Sequence, residues 1–151
     1  MSPSPTRASR VTESVGFRLS RVARALRAQW RDQLADLGVE PPEAAALRVV
    51  AAQPGAALRQ LARILGSDPM STKRCVDALE ARGLVASTRQ GEGRPRALRV
   101  TPAGTDLVGE IERRAAARED SVASALGPAA VAQLRRALDQ LEASLTSETK
   151  G

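Results

Sequence analysis

The feature that most constrains this chain is a pair of short helical patterns that lie close together, between residues 58 and 83. The first pattern has apolar residues at the spacing of one buried helical face: Leu58, Leu61, Ala62 and Leu65. Gly66 predicts the end of this helix. The second helix is predicted to begin at Pro69, where either Ser67 or Asp68 can cap its free amides, and to end before Gly83. This spacing predicts a helix-turn-helix, in which the second helix can enter the major groove of DNA.

A basic hairpin is predicted directly after the second helix. Residues 84–88 and 96–101 have the composition of two strands, and Gly91 and Gly93 lie in the predicted loop between them. Several arginines crowd this hairpin, and Glu92 is the acidic residue that opposes them: the arginines are Arg89, Arg94, Arg96 and Arg99. A loop of this charge can reach a minor groove, where narrow A·T-rich segments attract arginine. The helix-turn-helix and the hairpin together predict a winged helix.

Short landmarks occur in a fixed order across residues 58–104. They are Leu61-Ala62, Leu65-Gly66, Leu79-Glu80, Gly83-Leu84-Val85, and Thr101 with Gly104. In order and spacing, these landmarks resemble the winged-helix domain of the MarR family of bacterial transcriptional regulators. The resemblance implies a homodimer that binds specific sequences of double-stranded DNA, as a repressor that a small aromatic effector relieves. In that family the wing carries an acidic residue followed by two arginines. The turn here reads Glu92-Gly93-Arg94-Pro95-Arg96, so Arg94 and Arg96 are alternative matches to the wing arginine.

The predicted recognition helix, residues 69–82, has two different faces. The face expected to pack inward carries Thr72, Cys75, Val76 and Leu79. The opposite face carries Met70, Arg74, Asp77 and Ala81, flanked by Ser71 and Lys73. We predict that Arg74 contacts a base edge, because a guanidinium can bond bidentately to guanine, and that Ser71 and Lys73 contact phosphates or bases. Together with Arg94 and Arg96 these three residues form the predicted DNA-binding site. The alternative is an ordinary solvated helix face.

Composition excludes several classes of function. The chain has 23 Lys and Arg against 17 Asp and Glu, a net charge of +6, which favours a polyanionic partner. Phe17 and Trp30 are its only aromatic residues, which argues against the stacking platforms that bind single-stranded nucleic acid. It has no histidine and one cysteine, so the common zinc sites, Ser-His-Asp and Cys-His catalysis, and an intrachain disulfide are excluded. We therefore expect no catalytic residues, no metal and no cofactor.

The apolar pattern divides the chain into a tail and one domain. Residues 1–12 are predicted to be a disordered basic tail, and residues 13–147 a single domain that is mainly α with a small β wing. Its DNA-binding part covers about residues 42–101, with dimerisation helices at about 13–37 and 102–147. The last helix carries leucines that step by fours and threes, as in helices that pack along a partner: Leu134, Leu138, Leu141 and Leu145. The alternative is that these apolar seams cover each other within one chain.

Other residues have a functional interpretation that we rank below a structural one. Cys75 is predicted to be a small core residue rather than a redox switch. Phe17 and Trp30 are predicted to be core or dimer contacts rather than the lining of an effector pocket. The arginines of the first helix are predicted to be solvated rather than to contact DNA flanks or an acidic partner: Arg18, Arg21, Arg24, Arg27 and Arg31.

The remaining function classes are a protein-interaction module and an enzyme. A winged helix that only binds proteins has no need of a basic wing, and an enzyme lacks any nucleophile-base pair here. No apolar run approaches membrane-spanning length, and the start, MSPSPTRASR, lacks the hydrophobic core of a signal peptide. We therefore expect a cytoplasmic protein with no membrane partner.

Overall fold

The computed structural model describes residues 7–89 and 91–148, which form seven α-helices, one 3-10 turn and one two-stranded sheet. In chain order the elements are α1 (Arg7–Glu13), α2 (Val15–Leu34), the 3-10 turn (Ala35–Leu37), α3 (Pro41–Ala52), α4 (Leu58–Leu65), α5 (Pro69–Ala81), β1 (Val85–Thr88), β2 (Ala97–Val100), α6 (Pro102–Leu126) and α7 (Pro128–Glu148). The predicted class, mainly α with a small β wing, is confirmed. None of the helices in the described part of the chain is both long and apolar enough to cross a membrane.

The N-terminal segment differs from the prediction of a disordered tail over residues 1–12. Residues 7–12 lie in α1, which is separated from α2 by Ser14. The Ser14 hydroxyl donates to the Val11 carbonyl oxygen (2.8 Å) and accepts from the Phe17 amide (3.4 Å), so one side chain satisfies groups at both helix ends. Residues 7–12 therefore lie in a helix, where the composition of the segment predicted disorder. Residues 1–6 of the predicted tail lie outside the described residues.

The described chain divides into two compact units. One unit extends to Ile111, and the other begins at Glu112 and contains the end of α6 and all of α7. Within the second unit, the Arg135 guanidinium donates to the Glu119 carboxylate (3.1 Å) and links the two helices. Residues after 111 contact mainly each other.

The core of the first unit is built from leucines that come from successive elements. Its largest fully buried residues include Leu34, Leu47, Leu61, Leu79 and Leu98, which come from α2, α3, α4, α5 and β2 in that order. Helix α3 contacts α2, α4, α5 and β2, so it holds the elements on either side of it in the chain together. Burial of this apolar surface is what fixes the exposed face of α5 relative to the wing.

The wing is attached to the helices by backbone hydrogen bonds at both of its ends. Strands β1 and β2 are antiparallel, with Val85 opposite Val100 and Thr88 opposite Ala97. The Leu98 amide also donates to the Ala56 carbonyl oxygen (3.0 Å), so the residues before α4 extend the ladder. The predicted strands, 84–88 and 96–101, are each slightly longer than the observed ones: Leu84 and Thr101 lie beside the flanking helices, and Arg96 lies in the loop between the strands.

Thr101 and Gly104 join the wing to α6, which explains why both belong to the landmarks. The Thr101 hydroxyl donates to the Gly83 carbonyl oxygen (2.6 Å) and accepts from the Gly104 amide (3.1 Å). A Cβ added at Gly104 would overlap the carbonyl oxygen of Leu84. Glycine is required at this position by the close approach of two backbones.

Candidate nucleic-acid interface

Helix α5 begins with a cap that involves one of the predicted contact residues. The Asp68 carboxylate accepts a hydrogen bond from the Ser71 amide (2.8 Å), so Asp68 rather than Ser67 is the N-cap, and Pro69 occupies the first helical position. Hydrogen bonding to the Ser71 side chain, and then to its amide, lowers the pKa of the Asp68 carboxyl. The buried Thr72 hydroxyl donates to the Asp68 carbonyl oxygen (2.9 Å). The start of α5 is therefore rigidly defined.

The two faces of α5 are arranged as the sequence predicted. Thr72, Val76 and Leu79 are buried, and Cys75 is half-buried beside them. Met70, Lys73, Arg74 and Ala81 are exposed, while Ser71 and Asp77 are half-buried. The packed face fixes the rotation of the helix, so the exposed residues form one continuous outer face.

The exposed polar groups of α5 differ along the helix. Near the N-terminus, the Arg74 guanidinium donates to the Ser71 hydroxyl (3.2 Å), which is itself bonded to the capping Asp68. Lys73, the residue before Arg74, forms an i,i+4 ion pair with Asp77. Among residues 7–89 and 91–148, no carboxylate pairs with Arg74, whereas Lys73 is paired with Asp77.

The two alternative wing arginines have different surroundings. Arg96 Nη1 lies 3.7 Å from Glu80 Oε2 on α5, with the side chains 48% and 23% exposed respectively. Arg94 is exposed, and it forms no ion pair with any residue in the described ranges 7–89 and 91–148. Its backbone amide donates to the Gly91 carbonyl oxygen (3.4 Å) within the turn. Arg96 is therefore held against the recognition helix, while Arg94 projects from the turn with its charge available.

A basic cleft lies between α4, α5 and the wing. It has a volume of about 410 Å³, and its charged lining residues are Arg59, Lys73, Asp77, Arg89, Arg94 and Arg96. The cleft brings together three of the predicted contact residues, while Ser71 and Arg74 do not line it. Arg59 and Arg89 were not predicted site residues. The sequence signal for Arg89 is its position in the basic hairpin. The signal for Arg59 is its position as a cation in the first turn of α4, where it is exposed. Five cations around one carboxylate give a surface suited to phosphate oxygens.

Comparison with known proteins finds similarity to one family of regulators. A sequence profile of the MarR family matches residues 37–94. A MarR-family transcriptional regulator from Rhodococcus sp. RHA1 has a similar structure, with a TM-score of 0.76 and 27% identity over 87% of this chain and 94% of that one. Residues 37–94 are therefore similar to the MarR family of transcriptional regulators. The comparison with curated proteins found no match.

Two other structures similar to this chain contain bound partners. A MarR-family protein of Mycobacterium tuberculosis in complex with salicylic acid has a TM-score of 0.66 and 28% identity, over 85% of this chain and 96% of that one. S. aureus MepR in complex with DNA has a TM-score of 0.79 over 87% of this chain and 96% of that one, and its 16% identity shows likeness of fold alone. The family match and the winged-helix fold identify a DNA-binding transcriptional regulator.

A second cavity lies on the other side of α5. Its volume is about 550 Å³, and Arg27 and Arg31 of α2 face Cys75, Ser71 and Leu65 across it. Arg31 also donates to the Glu40 carboxylate (3.2 Å). Phe17 and Trp30 do not line the cavity. Trp30 is buried, in agreement with the predicted core role, and Phe17 is 36% exposed.

Cys75 lies in an environment that disfavours its ionised form. Burial, and then the negative charge of Glu43, raise the pKa of the Cys75 thiol to about 11. The thiol is therefore protonated near neutral pH, and a protonated thiol is a poor nucleophile. This agrees with the prediction of a small core residue. Within residues 7–89 and 91–148, no three His, Cys, Asp or Glu side chains gather as metal ligands.

Proposed function

We propose that this protein is a homodimeric MarR-family repressor that binds a specific operator and is relieved by a small-molecule effector. The observation that carries the proposal is the outer face of α5 with the neighbouring wing. Arg74 and Arg94 are both exposed and lack a carboxylate partner among the described residues, although the elements that bear them are fixed by a buried core. A fixed helix with an available guanidinium is what base readout requires.

Within the recognition helix, we assign base contact to Arg74. Its hydrogen bond to the Ser71 hydroxyl holds the guanidinium at the N-terminal end of α5, the end from which such helices contact base edges. Ser71 and Lys73 contact phosphates or bases beside it. When DNA binds, Lys73 either breaks its ion pair with Asp77 or contacts Asp77 and the DNA together. Its net contribution to the free energy of DNA binding is therefore smaller.

Within the wing, we assign minor-groove contact to Arg94 and an anchoring role to Arg96. The Arg96–Glu80 pair joins the wing to α5, so it fixes the distance between the two DNA-contacting elements. Arg94 lies two residues away in the turn and has its charge available. The proposal thus gives a different role to each of the two alternatives that the sequence left open.

The proposed homodimer rests on apolar side chains that are exposed in one copy of the chain. Helix α2 exposes Val15, Leu19 and Val22, and α7 separately exposes a row of leucines: Leu134, Leu138, Leu141 and Leu145. Apolar rows of this length on a soluble protein are typical of an interface. Two copies would present their recognition helices to successive major grooves, about 34–36 Å apart.

The second cavity is the proposed effector site. Arg27 and Arg31 supply positive charge, and Leu65 contributes apolar lining, so the cavity suits a small aromatic carboxylate. The M. tuberculosis protein bound to salicylic acid supports this class of ligand. Ser71 lines the cavity and also lies on the recognition helix, so a ligand there contacts the DNA-reading element directly. An effector that prefers one position of that element would shift operator affinity by its differential affinity.

Selection of bound sequences from a library of random duplexes tests the DNA-binding proposal. We expect a pseudo-palindrome whose half-sites are centred about 10 base pairs apart or a multiple of this. Enrichment of no sequence would contradict the proposal and favour the alternative, a winged-helix protein-interaction module.

Titration of the selected operator in the presence of salicylate tests the effector site. We expect salicylate or a related aromatic carboxylate to weaken operator binding by the wild type, and Arg27→Ala to lose this response while it keeps operator affinity. Arg21→Ala is the matched control, because Arg21 is also an exposed arginine of α2 but does not line the cavity. An equal response in all three proteins would place the effector elsewhere.

A further inference from the structure

An apolar side chain stands exposed on the outer face of the recognition helix. Met70 is 68% exposed, in the first turn of α5 and directly after Pro69. A single exposed methionine on a protein surface ordinarily needs no explanation, because proteins expose many single apolar residues. Met70 differs in its position, since the N-terminal residues of such a helix are those that approach base edges.

The neighbours of Met70 make its position specific. Arg74 lies four residues later, so the two side chains occupy the same face of α5, about 6 Å apart along its axis. The remaining charges of the outer face are paired, Lys73 with Asp77 and Glu80 with Arg96. The N-terminal half of α5 therefore presents one apolar group next to one uncompensated guanidinium.

We infer that Met70 is a specificity-determining residue that contacts the 5-methyl group of a thymine in the operator. That methyl group is the apolar feature of the major groove, and apolar side chains recognise it by contact. The base-pair rise is about 3.4 Å, so a 6 Å separation places the thymine within about two base pairs of the guanine that Arg74 contacts. This inference rests on the proposed operator binding and adds a second base to its readout.

Replacement of single thymines by deoxyuridine tests the inference, because it removes only the methyl group. The probe is the operator selected from random duplexes, with each thymine replaced in turn, and affinities are measured by fluorescence anisotropy. For the wild type we expect one position per half-site at which the replacement weakens binding about fourfold, the value of one buried methyl group. For Met70→Ala we expect the thymine and deoxyuridine operators to bind equally at that position.

Two further variants control for unrelated effects. Met70→Leu keeps an apolar side chain and should retain the sensitivity to the methyl group. Ile64→Ala removes another exposed apolar side chain, from α4, and should leave the deoxyuridine profile unchanged. Met70 is exposed, so its replacement should not affect folding, and circular dichroism checks this.

The outcomes separate this inference from the proposed function. If a sequence is selected but Met70→Ala has the same deoxyuridine profile as the wild type, Met70 contacts no thymine methyl and the inference is wrong, while the regulator proposal stands. A methyl-sensitive position far from the guanine lost in Arg74→Ala would also overturn it. If no sequence is selected, the proposed function fails and the inference fails with it.

Discussion

Replacement of Arg94 by alanine should weaken operator binding and also make the remaining binding less dependent on salt. Arg94 is exposed in the wing turn and pairs with no carboxylate in the described residues, so its whole charge is available to the minor groove and to the phosphates that border it. Arg96 differs because Glu80, 3.7 Å away, compensates part of its charge. We therefore expect Arg96→Ala to change the salt dependence less than Arg94→Ala does.

The size of the effect follows from counterion release. Each phosphate contact contributes about 0.9 to the slope of log affinity against log salt concentration. A homodimer loses one such contact per copy in Arg94→Ala, so the slope should fall by about 1.8. Between about 50 and 200 mM salt, the ratio of wild-type to variant affinity should shrink about 12-fold.

Glu80→Gln separates anchoring from direct contact by Arg96. If Arg96 anchors the wing, this variant should weaken operator binding in the same direction as Arg96→Ala, and the double variant should be less than additive. If Arg96 itself binds phosphate, removal of the competing carboxylate should strengthen binding instead.

The assay is fluorescence anisotropy with labelled operator and scrambled duplex at several salt concentrations. Arg18→Ala is the control, because Arg18 is an exposed arginine on α2, outside the proposed site. The reasoning is refuted if Arg94→Ala keeps the wild-type slope while Arg96→Ala lowers it by about 1.8. If neither variant changes the slope, the wing makes no contact with DNA phosphates.

Three further predictions concern assembly, packing and the thiol. Leu138→Asp with Leu141→Asp should convert the dimer to monomer in sedimentation, because both side chains are 38% exposed in one copy and would place charges in the proposed interface; an unchanged dimer would exclude this seam. Gly104→Ala should lower the free energy of unfolding in urea by about 1–3 kcal/mol through overpacking, whereas Gly109→Ala on the same helix, with open space around it, should not. Cys75→Ser should keep operator affinity. The pKa of the Cys75 thiol is raised from 9.0 to about 11, so the thiol of the unfolded state loses its proton first as the pH rises. The free energy of unfolding of the wild type should therefore fall between these pH values relative to that of Cys75→Ser. Parallel pH profiles of the two proteins would contradict the shift.

Local features of the sequence were sufficient for the elements and for the orientation of the recognition helix. The ends of α4 and α5 are marked by Gly66, Pro69 and Gly83, because caps and breakers act within a few residues. The inward and outward faces of α5 followed from helical periodicity alone, since one face had to be buried. The order of the landmarks was sufficient to predict the family, because each occupies a position that the winged helix requires.

Tertiary structure was needed wherever a property depends on residues far apart in sequence. The difference between Arg94 and Arg96 arises from Glu80, which lies on another element, and the pKa of Cys75 depends on burial and on Glu43 of α3. Arg59 joins the basic cleft only because α4 and the wing meet. Periodicity specifies which face of a helix is buried, but it does not specify which charged residue of another element pairs with a residue on that helix. That pairing is decided by packing, and here it separates the arginine assigned to DNA from the arginine assigned to hold the wing.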